Sequence, residues 1–172
     1  MRGAWVDWAR GQNRELVGDA TDLEELLFGT QRRRLREVAP ALYELQGGRC
    51  FYTGKELSHP DQADVDHFIP FARYPHDFAH NLVLASRRAT ADKSDRLAGE
   101  DHLAAWAERN ATADTALGDV CVAAGISSDL ARTLAVARWA YSQAESSETP
   151  VWITGSDLAR RLSGRWREIL GG

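Results

Sequence analysis

Between Asp64 and Asp95 the chain reads DVDHFIPFARYPHDFAHNLVLASRRATADKSD, and no other stretch limits its fold and chemistry so tightly. Asp66 and His67 stand side by side and lead into Phe68-Ile69-Pro70. Asn81 follows Asp66 by fifteen residues and opens the apolar run Leu82-Val83-Leu84. Thr90 comes nine residues further on, three before Lys93-Ser94-Asp95. Val65 to Ile69 and Leu82 to Ala85 are short β-type runs, and Arg73-Tyr74-Pro75-His76-Asp77 between them is loop-like. From about Arg88 a helical pattern runs through Leu97. Strand, loop, strand and helix in this order can gather a hard metal ligand, a proton acceptor and an amide round one phosphate.

The rest of the chain reads as helical. Thr21 to Phe28 predicts a short helix, capped by Thr21 or Asp22, with Glu24 three after Thr21 as a capping box requires, and ended by Gly29. Gln31 to Gln46 is helical in character, with a break or fresh start expected at Pro40. Leu35, Val38, Leu42 and Leu45 should face inward, and Gly47-Gly48 should stop the helix. Cys50-Phe51-Tyr52-Thr53-Gly54-Lys55 reads as a tight turn. Beyond Gly99, Leu103, Trp106 and Ala107 mark a helix ending near Asn110, and Leu117, Val120, Cys121 and Ala124 mark a second, stopped by Gly125. Leu130, Leu134, Ala137 and Tyr141 form the stripe of a third, capped by Ser127 or Ser128. Ser142 to Pro150 reads as a polar linker. Leu158, Leu162, Trp166 and Ile169 predict a final helix capped at Thr154 or Ser156. The expected fold is α+β, mostly α: a small ββα motif embedded among helices, with an α-helical C-terminal lobe. The expected divisions are a helical segment over 1–46, the motif over 47–98 and the lobe over 99–172.

At 172 residues and 44% hydrophobic, the chain can bury one good core. No run of eighteen apolar residues exists, and Met-Arg-Gly-Ala-Trp at the start lacks the apolar stretch of a secretory signal. Cys50 and Cys121 form no C-x-x-C pattern and read as two reduced, packed thiols. A soluble, cytoplasmic protein is expected. The net charge of −4 argues against an autonomous nucleic-acid binder, whose affinity rests on neutralising phosphates. Basic surface must then be local, at Arg32, Arg33, Arg34 and Arg36 or at Arg87, Arg88, Lys93 and Arg96. Much of the grip on a substrate would come from another domain, subunit or partner.

At the residues from Leu45 to Leu97 the chain resembles the HNH, or ββα-metal, endonucleases. There the first strand ends in Asp-His, the second opens with Asn, and the helix carries a final His or Asn. It is most similar to the branch without a structural zinc ribbon, which includes the HNH domains of RNA-guided CRISPR nucleases. Cys50-Phe51-Tyr52-Thr53-Gly54-Lys55 matches the lead-in of that branch. Zinc-bearing relatives have cysteines where this chain has Thr53, Ser86 and Ala89, so no structural zinc is expected.

The resemblance implies a metal-dependent endonuclease cutting DNA, with RNA as the other candidate, to leave 5′-phosphate and 3′-hydroxyl ends. It implies His67 as general base, oriented by Asn81, with Asp66 and Thr90 holding one Mg²⁺ or Mn²⁺. The residue types suit those roles. A carboxylate is a hard ligand for Mg²⁺, and an imidazole titrates near neutrality. Asp66 and His67, adjacent on extended chain, send their side chains apart. Thr90 departs from the family's Asn or His; its hydroxyl reads either as a shorter, weaker metal ligand or as a plain helix N-cap. Asp92 is a substitute carboxylate, pointing away round the helix. Lys93, Arg87, Arg88 and Arg33 are candidate phosphate contacts, Lys93 alternatively bracing the helix.

Blander readings stand beside these. Asn81 is then a turn-capping amide, and His59, His76, His80 and His102 are solvated loop or helix residues. The tryptophans are core, save Trp5 and Trp8, which suit an interface. The arginine cluster is then a solvated helix face. In function, the alternatives to a nuclease working in a larger antiviral-defence assembly are two. One is a catalytically impaired HNH-like module for nucleic-acid binding or assembly. The other is an interaction domain in which the helical lobe does the work.

Overall fold

The computed structural model describes residues 29–156 and 160–171. It divides into two compact units, residues 1–37 and 38–172. Of the first, only the opening of a helix is described. The expected helix over Thr21 to Phe28, together with Trp5, Trp8 and Leu158, lies outside the described residues.

Helix α1 spans Thr30–Leu45 and runs unbroken through Pro40, contrary to the expected break. Proline lacks one intrahelical donor, yet the flanking residues Val38, Ala39 and Leu42 are buried, and that packing outweighs the loss. Leu45 was expected inward but is 38% exposed at the frayed end. Gly48 closes the helix at φ +69°, where an added Cβ would sit 3.0 Å from the Tyr43 hydroxyl. Glycine is therefore needed twice over, for its dihedral and for its missing side chain. The Cys50–Lys55 turn is closed by the amide of Cys50 donating to the Lys55 carbonyl at 2.8 Å.

Strands β1 (Ala63–His67) and β2 (Leu82–Ser86) pair antiparallel, with Asp66 opposite Val83 and His67 opposite Leu82. The first strand starts and ends two residues earlier than its apolar run suggested. The Gln46 amide docks on β2 by donating to the Leu84 carbonyl and accepting from its N–H, both at 2.8 Å. One side chain thus stands in for a third strand. Helix α2 (Arg87–Lys93) follows, with the Ser86 hydroxyl accepting from the Ala89 N–H as cap. It is shorter than predicted because Ser94, at φ 52°, turns the chain out of the helix.

The two helices expected after Gly99 are present: α3 (Glu100–Ala123) is two helices joined across a kink at Ala113, three residues past the expected end at Asn110. Helix α4 (Leu130–Ser146) is capped by Asp129, not by Ser127 or Ser128, and it absorbs the first half of the predicted linker. Of the predicted final helix, only the short α5 (Trp166–Ile169) forms among the described residues. Arg160 instead bridges Val151, and Trp152 bridges Ala98.

One hydrophobic cluster draws its members from Cys50 to Leu170. Phe68 and Ile69 of the motif meet Trp106 of α3, Tyr141 of α4, Trp152 and Trp166. Phe68 stacks on Trp106 with ring centroids 4.8 Å apart and planes within 9°. Burying a ring of that size is worth about 1.5–3 kcal/mol, with an aromatic contact adding about 1. The stack pins the residue immediately after His67. Trp139, expected in the core, is 48% exposed on α4.

Candidate active site

The end of β1 sends consecutive side chains to opposite faces. Asp66 turns toward α2, where its Oδ2 accepts from the Tyr52 hydroxyl at 2.6 Å and from Lys93 Nζ at 2.9 Å. Lys93 also donates to the His67 carbonyl at 2.9 Å and sits 5.7 Å from the Tyr52 ring centroid. Its side chain is fully buried. Burial depresses its ammonium below the usual lysine range, opposed by the charge of Asp66. Burial first, and Asp66 second, hold the Tyr52 hydroxyl well above its ordinary value, so it stays a neutral donor.

His67 turns the other way. Its Nε2 lies 2.7 Å from Asp77 Oδ1, and the Phe71 ring flanks the imidazole at 5.2 Å. Behind it, Asn81 grips the backbone of Ile69 at both ends. Its Oδ1 accepts from the Ile69 N–H at 2.8 Å and its Nδ2 donates to the Ile69 carbonyl at 2.9 Å. The Phe68 N–H donates to the Asn81 carbonyl at 2.8 Å. Two residues beyond the imidazole, the backbone is therefore held at both its N–H and its carbonyl.

Asn81 is itself held from α3. The His80 carbonyl accepts from Trp106 Nε1 at 2.8 Å, Arg109 Nη2 at 2.8 Å and Asn110 Nδ2 at 3.1 Å. Arg109 Nη1 donates to the Leu82 carbonyl at 2.7 Å, and burial pushes the guanidinium down to about 10. His80 is not solvated as expected: it is 0% exposed, with Nε2 at 2.7 Å from Asp114 Oδ1. His102 likewise is no solvated helix residue. Its Nε2 lies 2.8 Å from Thr154 Oγ1, and it stacks on Trp152. His59 is exposed and caps the Pro60–Gln62 turn by accepting from the Asp61 N–H; His76 is exposed on the loop.

Thr90 lies inside α2, with Ser86 as the cap, so the N-cap alternative falls. It stands one turn before Lys93 and shares its face. Its hydroxyl oxygen is buried and has no hydrogen-bond partner. An orphaned buried hydroxyl costs about 1–3 kcal/mol, which a bound ligand would recover. Asp92 is no substitute, because its Oδ2 accepts from Trp152 Nε1 at 2.9 Å on the far side of the helix. Among the described residues no three His, Cys, Asp or Glu side chains gather as a metal cage. Asp66 and Thr90 would offer one carboxylate and one hydroxyl, oxygen donors of the kind taken by a hard cation that keeps most of its waters.

Of the candidate phosphate contacts, Lys93 is inaccessible and braces α2 against β1. Its four-carbon stem fills core space, and its charge is spent on Asp66. Arg87 donates to the Asp61 carbonyl at 2.9 Å, and Arg88 is exposed on α2. Arg33 is exposed on α1, in the first of the two units. Tyr52 was present in the lead-in motif and missed as a site residue. Asp77, Arg109 and Asn110 had no local signal, since their partners are brought to them only by folding.

A ββα unit ending its first strand in Asp-His, with an Asn-clamped turn and a helix across it, defines a nuclease fold of the HNH class. Residues 50–98 match the HNH endonuclease family and form such a domain. The chain is 42% identical over 102 residues, 54% of its length, to the CRISPR-associated endonuclease Cas9 of Streptococcus mutans. It spans 7% of that protein's length. No helix among the described residues is long and apolar enough to cross a membrane.

Proposed function

We propose that this chain hydrolyses DNA phosphodiester bonds with His67 as general base and one divalent cation, Mg²⁺ or Mn²⁺, held by Asp66 and Thr90. The observation that carries the reading is the divergence of Asp66 and His67, one facing α2 and the other the loop. A phosphate at the end of β1 would meet a ligand in Asp66 and a proton acceptor in His67. Both contacts to Asp66 end on Oδ2, so Oδ1 is the oxygen that would face the ion, with the orphaned Thr90 hydroxyl as its companion. When bound, such an ion neutralises charge on the phosphate and on the departing oxygen.

The chain's own residues do the rest. His67 takes a proton from water, the water oxygen bonds to phosphorus, and the bond from phosphorus to the 3′ oxygen breaks. The departing oxygen takes a proton from solvent, and the imidazolium returns its own. Asn81, through Ile69, keeps the imidazole from swinging away. The net charge of −4 and the similarity to Cas9 support work within a larger antiviral-defence assembly that supplies most of the substrate grip.

Plasmid nicking in Mg²⁺ or Mn²⁺ tests this. Cleavage should fall at least about 100-fold in His67→Ala, the scale of a lost general base. Equal background in both proteins would sink the reading. A second reading, a catalytically impaired nucleic-acid-binding or assembly module, is favoured by the Lys93 ammonium sitting on Asp66. Thr90→Asn separates the two: it should raise rate and tighten metal binding, and no change in either would remove Thr90 from the ligand set.

A further inference from the structure

The loop between the strands places a carboxylate against the imidazole. Asp77 Oδ1 is 2.7 Å from His67 Nε2, and their side chains are 19% and 12% exposed. An ionised carboxylate can only accept, so the hydrogen of this bond sits on Nε2. In a neutral imidazole the lone pair is then on Nδ1. We propose that Asp77 is the positioning residue of the general base: it fixes the His67 ring and its tautomer, so that Nδ1 is the atom that takes the proton from water. The proposal rests on the nuclease reading above.

The geometry around Asp77 suits that role. The His76 N–H donates to the Tyr74 carbonyl at 2.8 Å, and Tyr74 stacks on Phe78 at 6.0 Å, which tightens the turn on both sides of Asp77. Phe78 pairs with Ser127, and the Ala79 N–H donates to the Ser127 carbonyl at 2.9 Å. The segment carrying the carboxylate is thus tied to the loop before α4. His67 is held through Phe68 on Trp106 and through the Asn81 grip on Ile69. The Asn81 N–H donates to the Phe78 carbonyl at 2.9 Å, so one short turn holds both partners of the bond and fixes their mutual orientation. Phe71 bars one route for the ring.

The test uses the full chain with Asp77→Ala, Asp77→Asn and Asp77→Glu. Loss of a carboxylate that orients a metal-bound histidine typically costs about 10–100-fold, and the same scale is expected for one that orients His67. Asp77→Ala should lower kcat by that factor with KM within about twofold, the pattern of an interaction used in the transition state. Asp77→Glu should restore most of the rate, which a merely structural role would not require. Nitrogen-15 spectra of the imidazole should show His67 with its hydrogen on Nε2 in the parent and a tautomer mixture in Asp77→Ala. If the alanine variant does not fold, Asp77→Asn serves. Its amide oxygen can still accept, so it should keep the tautomer and lose rate through the missing charge.

Unchanged or faster kcat in Asp77→Ala overturns the proposal, making Asp77 a bystander or a lock. So does a His67 hydrogen that stays on Nε2 in Asp77→Ala, or one on Nδ1 in the parent. Absence of cleavage above the His67→Ala background would instead remove the nuclease reading, and the tautomer measurement would still decide what Asp77 does.

Discussion

Replacing Lys93 by methionine isolates the strongest electrostatic contact at the site. Methionine keeps most of the stem volume, so the loss is charge and hydrogen bonding, with little cavity. Nζ lies 2.9 Å from Asp66 Oδ2 and 2.9 Å from the His67 carbonyl, with the two side chains 0% and 13% exposed. Removing one partner of such a pair costs about 3–5 kcal/mol, because the other charge is left buried. The lower end applies here, since Tyr52 still donates to Asp66 and that carboxylate retains some solvent. In a domain of this size about 3 kcal/mol corresponds to roughly 6–12 °C in Tm.

The assay is thermal unfolding in chelator and again with Mn²⁺. The deficit should shrink with the cation, which supplies Asp66 with the positive charge it has lost. Asp66→Asn combined with Lys93→Met should be more stable than the sum of the two single changes, by about 2 kcal/mol or more. A Lys93→Met protein melting within about 2 °C of the parent would refute the claim that this pair holds α2 to β1.

Asn81→Ala leaves the buried N–H and carbonyl of Ile69 unpartnered and should cost about 3 kcal/mol in urea unfolding, with cleavage falling alongside. Arg109→Ala should lose about 1–3 kcal/mol by taking its donor from the Leu82 carbonyl, while the His80 carbonyl keeps Trp106 and Asn110, and should slow cleavage without touching any reacting group. The Glu100 carboxyl sits below the usual glutamate range: partial burial pushes it up, but bonds from Ser163 and the Trp166 N–H more than offset this. A folded value below the unfolded one means its stabilisation is full above about pH 4.3 and is lost as pH falls through the folded value. The Tm gap between parent and Glu100→Gln should therefore be constant near neutrality and close in acid.

What was legible in the chain was what is encoded locally. Asp66, His67 and Asn81 declare themselves because the strand and the turn bring them together within one short stretch, and spacing alone implies their face. The partners were another matter. Asp77 reads as one acid in a loop, and only the anchoring of Phe78 on Ser127 turns it to His67. Lys93 reads as a phosphate contact because lysines rarely bury; a carboxylate and a carbonyl across the helix reverse that expectation. His80 looked solvated for want of any visible partner, since Asp114 and α3 lie far along the chain. Pro40 misled in the opposite sense: its local penalty is real, but the packing of Val38 and Leu42 is larger.

The Phe68–Trp106 stack bears on anyone wishing to move this catalytic unit into another scaffold. A graft cut at residue 98 would carry Asp66, His67, Asn81 and Thr90, yet leave Phe68, the aromatic floor next to His67, without its Trp106 partner and open to water. The portable piece has to include the first half of α3 at least. An excised fragment that binds metal but does not cut would be the signature of a floor left behind.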